Sequence, residues 1–371
     1  MAKTTTAADA ENAAPDAEDA APAADAHTGQ VRVNKWEQIR RVLLTPRSSA
    51  TWLAVLVIVL YLLFGFFSNG HVFFHSGNLE NMALDASIGV LLAIGMTYML
   101  GAGELDLSVG ANLLLSSIIG AKVMKVAAGN NSQFATQFPH SGLGIVAGVC
   151  AALATGAAFG YINGQLVTRG RINSFIATLA TTGVGTGLAL VIGNGTDVAN
   201  LPTSFQREFG IAKIAGAVPI PALVAAVIAV GAWFAMRYTT LGSHTLAIGS
   251  SKEAAVRAGL AADRHLRRLF LLMGLLSGAA GVMDLSRFAT TNILGHSTDA
   301  LAAIAATVIG GTSLFGGVAT IGGAFVGALL PVVLETGLVV LNVQSFYQQI
   351  VVGAILLIAV YLDQRRRNLR N

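Results

Sequence analysis

Residues 86–100 read ASIGVLLAIGMTYML, and residues 101–114 continue as GAGELDLSVGANLL. An oily run therefore meets two carboxylates, Glu104 and Asp106, with no Lys or Arg beside them, and a second apolar run follows at once. Charged groups near hydrocarbon are costly, so the setting of this pair depends on whether its flanks cross a membrane. Apolar runs of about 20 residues, enough for a helix to span a bilayer, recur along almost the whole chain. They fall near 50–68, 82–101, 108–128, 143–167, 174–193, 218–236, 267–287, 299–312, 318–341 and 346–362.

Composition agrees. Of 371 residues, 54% are hydrophobic and 11% charged, whereas a soluble domain averages about 25% charged. Such a chain cannot coat a globular surface with ions. The alternating segments of roughly 10 residues that mark an outer-membrane barrel are absent. The expected fold is an all-α polytopic membrane protein with about ten transmembrane helices. A net charge of +4 does not point to nucleic acid, because the cations sit in short clusters between apolar runs. The single cysteine, Cys150, lies inside such a run and is expected to be a small packing residue.

Residues 1–30 are Ala, Asp, Glu, Thr and Pro-rich without core-forming residues, and are expected to be a disordered acidic tail rather than a signal peptide. Residues 31–48 form a basic segment before the first span, 49–363 the membrane domain, and 364–371 a basic tail. The positive-inside rule orients the spans. Arg32, Lys35, Arg40, Arg41 and Arg47 precede span 1. Arg169 and Arg171 lie between spans 4 and 5, a basic group from Lys252 to Arg268 between spans 6 and 7, and Arg365, Arg366 and Arg367 after span 10. Ten spans put all four segments on one side, so both termini are expected in the cytoplasm. The opposite loops lack Lys and Arg, apart from Arg207 and Lys213 between spans 5 and 6.

That parity places the connection GAGELDLS on the cytoplasmic side, where cations are expected. An acidic, short, glycine-rich connection there fits an irregular break that dips into the protein, since such backbone is tolerated only inside protein or beside a wet cavity. A second break, 308–330, reads VIGGTSLFGGVATIGGAFVGALL and follows a span too short to cross comfortably. Gly103-Glu104-Leu105 matches Gly311-Thr312-Ser313-Leu314 weakly, which fits two pseudo-repeated halves with interrupted helices, as in many transporters. Gly110, Gly310 and Gly311 belong to the breaks. Gly323 and Gly327 form GxxxG, a tight-packing pattern.

Residues 237–268 form the one sizeable cytoplasmic loop. Within it SSKEAAVRAGL has the signature of a short helix, with Ser250 or Ser251 able to cap it, Glu253 in its first turn and Gly259 ending it. It either docks on a partner or lies under the headgroups.

Five ordered segments carry a resemblance. GELDLSVG, GYINGQLV, SFIATLA, AIGSSKEAAVRAGL and VIGGTSLFGG, with FYQQIVVGAILLIAV in the last span, resemble ribose-type monosaccharide permeases of ATP-binding-cassette importers, in the branched-chain amino-acid/ribose permease superfamily. The resemblance covers about residues 85–363. Departures include Ser243 where the family usually has Arg, and Asp299 as the sole acid near Ala300 and Ala302. Membership implies a subunit of the bacterial plasma (inner) membrane that forms the path for a sugar. The implied partners are an extracytoplasmic sugar-binding protein, a second permease subunit (a copy or a paralogue) and a cytoplasmic ATPase, expected with tandem cassettes. The chain has no phosphate-binding G-x-x-x-x-G-K-[ST] motif, so the ATPase is expected on another chain, with no cofactor, metal or catalytic set here.

The implied roles follow residue by residue. A sugar path needs donors and acceptors, for which Asn112, Ser116, Thr178, Thr181, Thr182 and Asn194 are candidates; the same residue types also hold helices together. Glu104 and Asp106 have three readings: ion or proton binding, substrate contact, or, for Asp106 above all, capping of span 3 with Ser108 beside it. Thr312 and Ser313 take the corresponding place in the second break. Coupling to the ATPase falls to Glu253, Ala254, Ala255, Arg257 and Gly259. Outside this scheme stand an ion-coupled secondary transporter using Glu104 and Asp106, an intramembrane enzyme, for which the scattered histidines offer no catalytic set, and a nucleoside or branched-chain amino-acid permease.

Overall fold

The computed structural model describes residues 49–130 and 137–344, with scattered residues between 347 and 361. The acidic tail, the basic segment before span 1, most of span 10 and the basic C-terminal tail lie outside the described residues. Helices account for nearly everything else. They are α1 (Ser49–Phe67), α2 (Ser76–Gly101), α3 (Val109–Ala127), α4 (Ser141–Thr168), α5 (Ser174–Gly193), the one-turn α6 (Thr203–Phe205), α7 (Ile220–Tyr238), α8 (Thr240–Ser250), α9 (Lys252–Arg257), α10 (Ala262–Phe288), α11 (Asp299–Ile309) and α12 (Ile321–Val340). The single sheet described is a two-stranded antiparallel hairpin, β1 (Lys213–Ile214) with β2 (Val218–Pro219).

Eight of these helices, α1 to α5, α7, α10 and α12, are long and apolar enough to cross a membrane. The described chain is thus an all-α polytopic membrane protein, and eight of the nine spans expected before residue 345 appear as crossing helices. The exception is α11. Its 11 residues rise about 16 Å, half of a hydrocarbon core of about 30 Å.

The central layer is α2, α3 and α10, whose apolar windows are mostly buried, while only a minor share of those of α1, α5 and α7 is buried. A helix apolar all round and buried all round is a core helix, and Tyr98, Met99, Leu100, Leu113, Phe270 and Met273 show this, each at 1% exposure or less. α4 packs on both α3 and α10, and its sequence provides for this with a small residue every fourth position. Gly144 and Gly148 lie against Met124 and Ala128 of α3, and Gly156, Gly160 and Gly164 lie against Phe270, Gly274 and Arg267 of α10. A Cβ at Gly278 would stand 2.9 Å from the Ala152 carbonyl oxygen. Without a hydrophobic force between helices in lipid, such close approach supplies the van der Waals contact that holds them. α11 and α12 cross in the same manner, through Gly310 against Gly323 and Ala306 against Gly327.

Candidate functional site

The first break occupies residues 102–108. Gly103 takes φ +77°, a backbone region that glycine enters without steric cost. Asp106 and Ser108 are buried, Glu104, Leu105 and Leu107 half-buried and Gly103 exposed, so the connection turns inward at Asp106 and Ser108. The Asp106 carboxylate accepts from the Ser108 backbone N–H at 2.9 Å and from its hydroxyl at 2.5 Å. These bonds close a turn ahead of α3, whose N-cap is Ser108; the Asp106 carboxylate bonds Ser108 rather than the first turn of the helix. Asn163 of α4 donates to the Ser108 hydroxyl at 2.7 Å.

The backbone of the break finds its remaining partners on one stripe of α5. Leu105 N–H donates to Ser174 Oγ at 3.2 Å, Leu107 N–H donates to Thr178 Oγ1 at 3.1 Å, and Thr182 Oγ1 donates to the Leu107 carbonyl at 3.1 Å. Residues 174, 178 and 182 share a helix face, so one side of α5 serves as the hydrogen-bonding edge that irregular backbone requires in lipid. Thr178 and Thr182, expected from sequence along a sugar path, have their hydroxyls engaged here. Thr181 donates to the Thr178 carbonyl and is half-buried. Asn112 and Ser116 are buried, bonded to each other and to the Gly156 carbonyl. Asn194 caps the C-terminus of α5 in the left-handed region, φ +59°, and lines a cavity of about 180 Å³ with Lys122 and Asp197.

The second break, 310–320, is also internally bonded. Thr312 Oγ1 accepts from Thr320 N–H at 3.1 Å, and Ser313 Oγ accepts from Phe315 N–H at 3.2 Å. Gly311, Gly316 and Gly317 take positive φ. The two breaks meet: Gly317 N–H donates to the Gly101 carbonyl at 3.1 Å. A third segment closes on the same point. Gly249, near the end of α8, packs its α-carbon directly on Gly101 and Gly317, and a Cβ there would fall 2.6 Å from Gly317 N and closer still to the Gly101 oxygen.

The segment that delivers Gly249 is the loop between α7 and α10. It holds two helices where one was expected. α8 is capped by Thr239, which accepts from Leu241 N–H, and its Thr245 hydroxyl bonds His265 of α10 at 2.8 Å. α9 begins at Ser251, whose Oγ accepts from Ala254 N–H at 3.2 Å. It ends with Gly259 at φ +87°, and bonds from Gly259 N–H to Val256 and Leu260 N–H to Ala255 complete a Schellman cap. Glu253, Ala254 and Arg257 face outward, with Glu253 and Arg257 paired across one turn at 3.7 Å. Ala255, expected to face a partner beside Ala254, is instead buried in the main core cluster, because the helical period turns it to the side opposite Glu253 and Arg257.

At the other end of the bundle α2, α10, α11 and α12 line a half-open cavity of about 360 Å³. The sequence reading missed it. Its polar lining includes Asp85, Asp284, His296, Asp299 and Glu335, contributed by four helices and one loop. Arg287 pairs with Asp85 through both carboxylate oxygens. His296 Nδ1 bonds Asp299 at 2.9 Å, and its Nε2 lies 3.4 Å from Asp284 Oδ2. Burial alone would lower the His296 pKa, but the hydrogen bond to Asp299 and the negative charge of Asp284 and Asp299 override it and hold the imidazolium up to about 10. Among the described residues no group of His, Cys, Asp and Glu could hold a metal ion.

A bundle with eight helices long and apolar enough to cross a membrane, interrupted by two irregular breaks, is a multi-pass membrane protein. Residues 78–360 match the family described as branched-chain amino acid transport system / permease component, and the chain belongs to that family. It is 33% identical over 301 residues to the "Ribose import permease protein RbsC" of Escherichia coli (strain K12), covering 80% of this chain and 88% of the relative. It is 36% identical over 293 residues to the "L-arabinose ABC transporter permease protein AraH" of Azospirillum brasilense, covering 79% and 81%. It is 32% identical over 292 residues to the "D-allose transport system permease protein AlsC" of Escherichia coli (strain K12), covering 79% and 85%. No solved structure matches the chain.

Proposed function

We propose that this chain is the membrane permease subunit of an ATP-driven monosaccharide importer. The observation that carries the mechanism is the junction at Gly249, where α8, followed directly by the capped helix α9, is joined to both breaks at once. A push on α9 reaches the core through α8 without a flexible linker. The relatives named for ribose, L-arabinose and D-allose support a sugar as cargo. A nucleoside or branched-chain amino acid is the alternative cargo within the family.

In this scheme the α8–α9 end faces the cytoplasm of a bacterial cell, with both termini on that side of the plasma membrane. Glu253, Ala254 and Arg257 meet the cytoplasmic ATPase, and Gly259 fixes the end of the docking helix. The opposite end meets the sugar-binding protein. A second permease subunit completes the path beside the exposed faces of the bundle. Glu104, Asp106, Ser108 and Gly110, with Gly310 through Ser313, hold the breaks in shape. Asn112, Ser116 and Thr178 hold helices together in the single chain, and Thr181, Thr182 and Asn194 keep enough surface to meet cargo.

The test is reconstitution in proteoliposomes with the ATPase and binding protein, following uptake of labelled ribose, arabinose and allose. Uptake that needs ATP and both partners is expected. Uptake by the chain alone under a proton or sodium gradient would instead establish a secondary transporter.

A further inference from the structure

We propose that the cavity between α2, α10, α11 and α12 is a monosaccharide-binding chamber, in which Asp284 and Asp299 accept hydrogen bonds from sugar hydroxyls and His296 donates. The inference rests on the sugar-importer proposal and goes beyond it by naming the chamber and its ligands.

Four observations carry it. The first is size: about 360 Å³ is within the range of small-molecule sites, roughly 300–1,000 Å³, and ample for one sugar ring. The second is lining chemistry. Ile88, Leu92, Ala302 and Ala303 give apolar wall for the C–H faces of a ring, while carboxylates converge from α2, α10, α11 and α12. Carboxylate oxygens take hydroxyl donors in short, charge-assisted bonds. A neutral ligand rich in hydroxyls fits this mixture.

The third is an unmet demand. Asp284 Oδ2 and His296 Nε2 are buried yet lack a hydrogen-bond partner, and Asp284 is only 2% exposed while lining the cavity. A contact of 3.4 Å between those two atoms balances charge without satisfying either. A staple between α10 and the loop before α11 would be better served by a direct bond. An acceptor and a donor held side by side suit a hydroxyl that bridges them. The fourth is placement. The cavity touches the start of the half-length α11, and the end of that helix leads into the second break and hence the Gly249 junction. A ligand in the chamber therefore lies against the half-length helix whose far end opens into the second break.

The experiment uses the complete complex in proteoliposomes, with the ATPase and a sugar-loaded binding protein, and measures KM and maximal uptake for D-ribose, L-arabinose and D-allose. Asp284→Asn and Asp299→Asn test the acceptors. Ala302→Trp tests the space without altering charge. Ala302→Cys in a Cys150→Ser background reports occupancy through protection from a water-soluble maleimide. We expect KM for the transported sugar to rise about tenfold or more in each Asn variant. Uptake should be lost in Ala302→Trp with protein yield and basal ATP hydrolysis retained, and alkylation should slow when sugar is delivered. If the wild type imports sugar while both Asn variants keep KM within twofold and alkylation is unaffected, the chamber is refuted and the importer proposal stands. If the wild type imports none of the sugars, the importer proposal falls and the chamber with it.

Discussion

Gly249→Ala separates local helix propensity from tertiary contact. Inside α8 an alanine is favoured over glycine by about 1 kcal/mol, so propensity alone predicts a slightly more stable protein. The structure predicts the reverse. The new Cβ would sit 2.6 Å from Gly317 N, whereas ordinary contact begins at 3.4 Å, so the junction must open by at least about 0.8 Å. The Gly101 carbonyl lies closer still. Overpacking of this kind costs about 1–3 kcal/mol, and loss of the 3.1 Å bond from Gly317 to Gly101 adds about 1 kcal/mol. With the propensity gain of about 1 kcal/mol set against these terms, the net penalty is about 2 kcal/mol, a shift of about thirtyfold in any equilibrium that needs the junction closed. The assay is sugar uptake and ATP hydrolysis by the reconstituted complex, with thermal unfolding of the purified subunit in parallel. The expected result is uptake reduced at least tenfold with ATP hydrolysis no longer stimulated by the loaded binding protein. Uptake within twofold of wild type would refute the assignment of Gly249 as the link between α9 and the breaks.

Other outcomes follow from the same contacts. Glu253→Arg alters an exposed pair of negligible stability value, so melting should not change while uptake is lost if α9 docks on the ATPase; unchanged uptake removes that role. Asn163→Ala deletes the bond to the Ser108 hydroxyl at a fully buried position and should lower unfolding stability by about 1–3 kcal/mol, read as a fall in melting temperature. His296 contributes stability in full below its ordinary value of 6.5, and that contribution is lost as pH rises through about 10. Melting temperature should therefore decline between pH 7 and 10, and His296→Gln should flatten that decline while lowering stability at pH 7.

Parts of the site are legible in the sequence because their causes are local. Ser251, Glu253 and Gly259 mark α9 by capping chemistry confined to one short helix. Gly103 and the glycines at 310–317 announce irregular backbone, since long apolar runs cannot otherwise be interrupted cheaply. The partners of those breaks are invisible from any window. Ser174, Thr178 and Thr182 are about 70 residues from the backbone they bond, and in sequence they look the same as residues facing a sugar. Ala255 has the composition of a docking surface, and only its packing against the core turns it inward.

By itself the sequence determined the apolar spans, the half-length of α11, the two breaks and the capped helix, because hydrophobic length, glycine content and capping act within a few residues. Tertiary structure alone decided that Gly101, Gly249 and Gly317 touch, and that Asp85, Asp284, His296, Asp299 and Glu335 share one cavity. Those residues stand up to 250 positions apart. Their meeting depends on how closely α4 and α10, and α11 and α12, approach through small residues, a property of pairs of surfaces that neither strand of sequence carries alone.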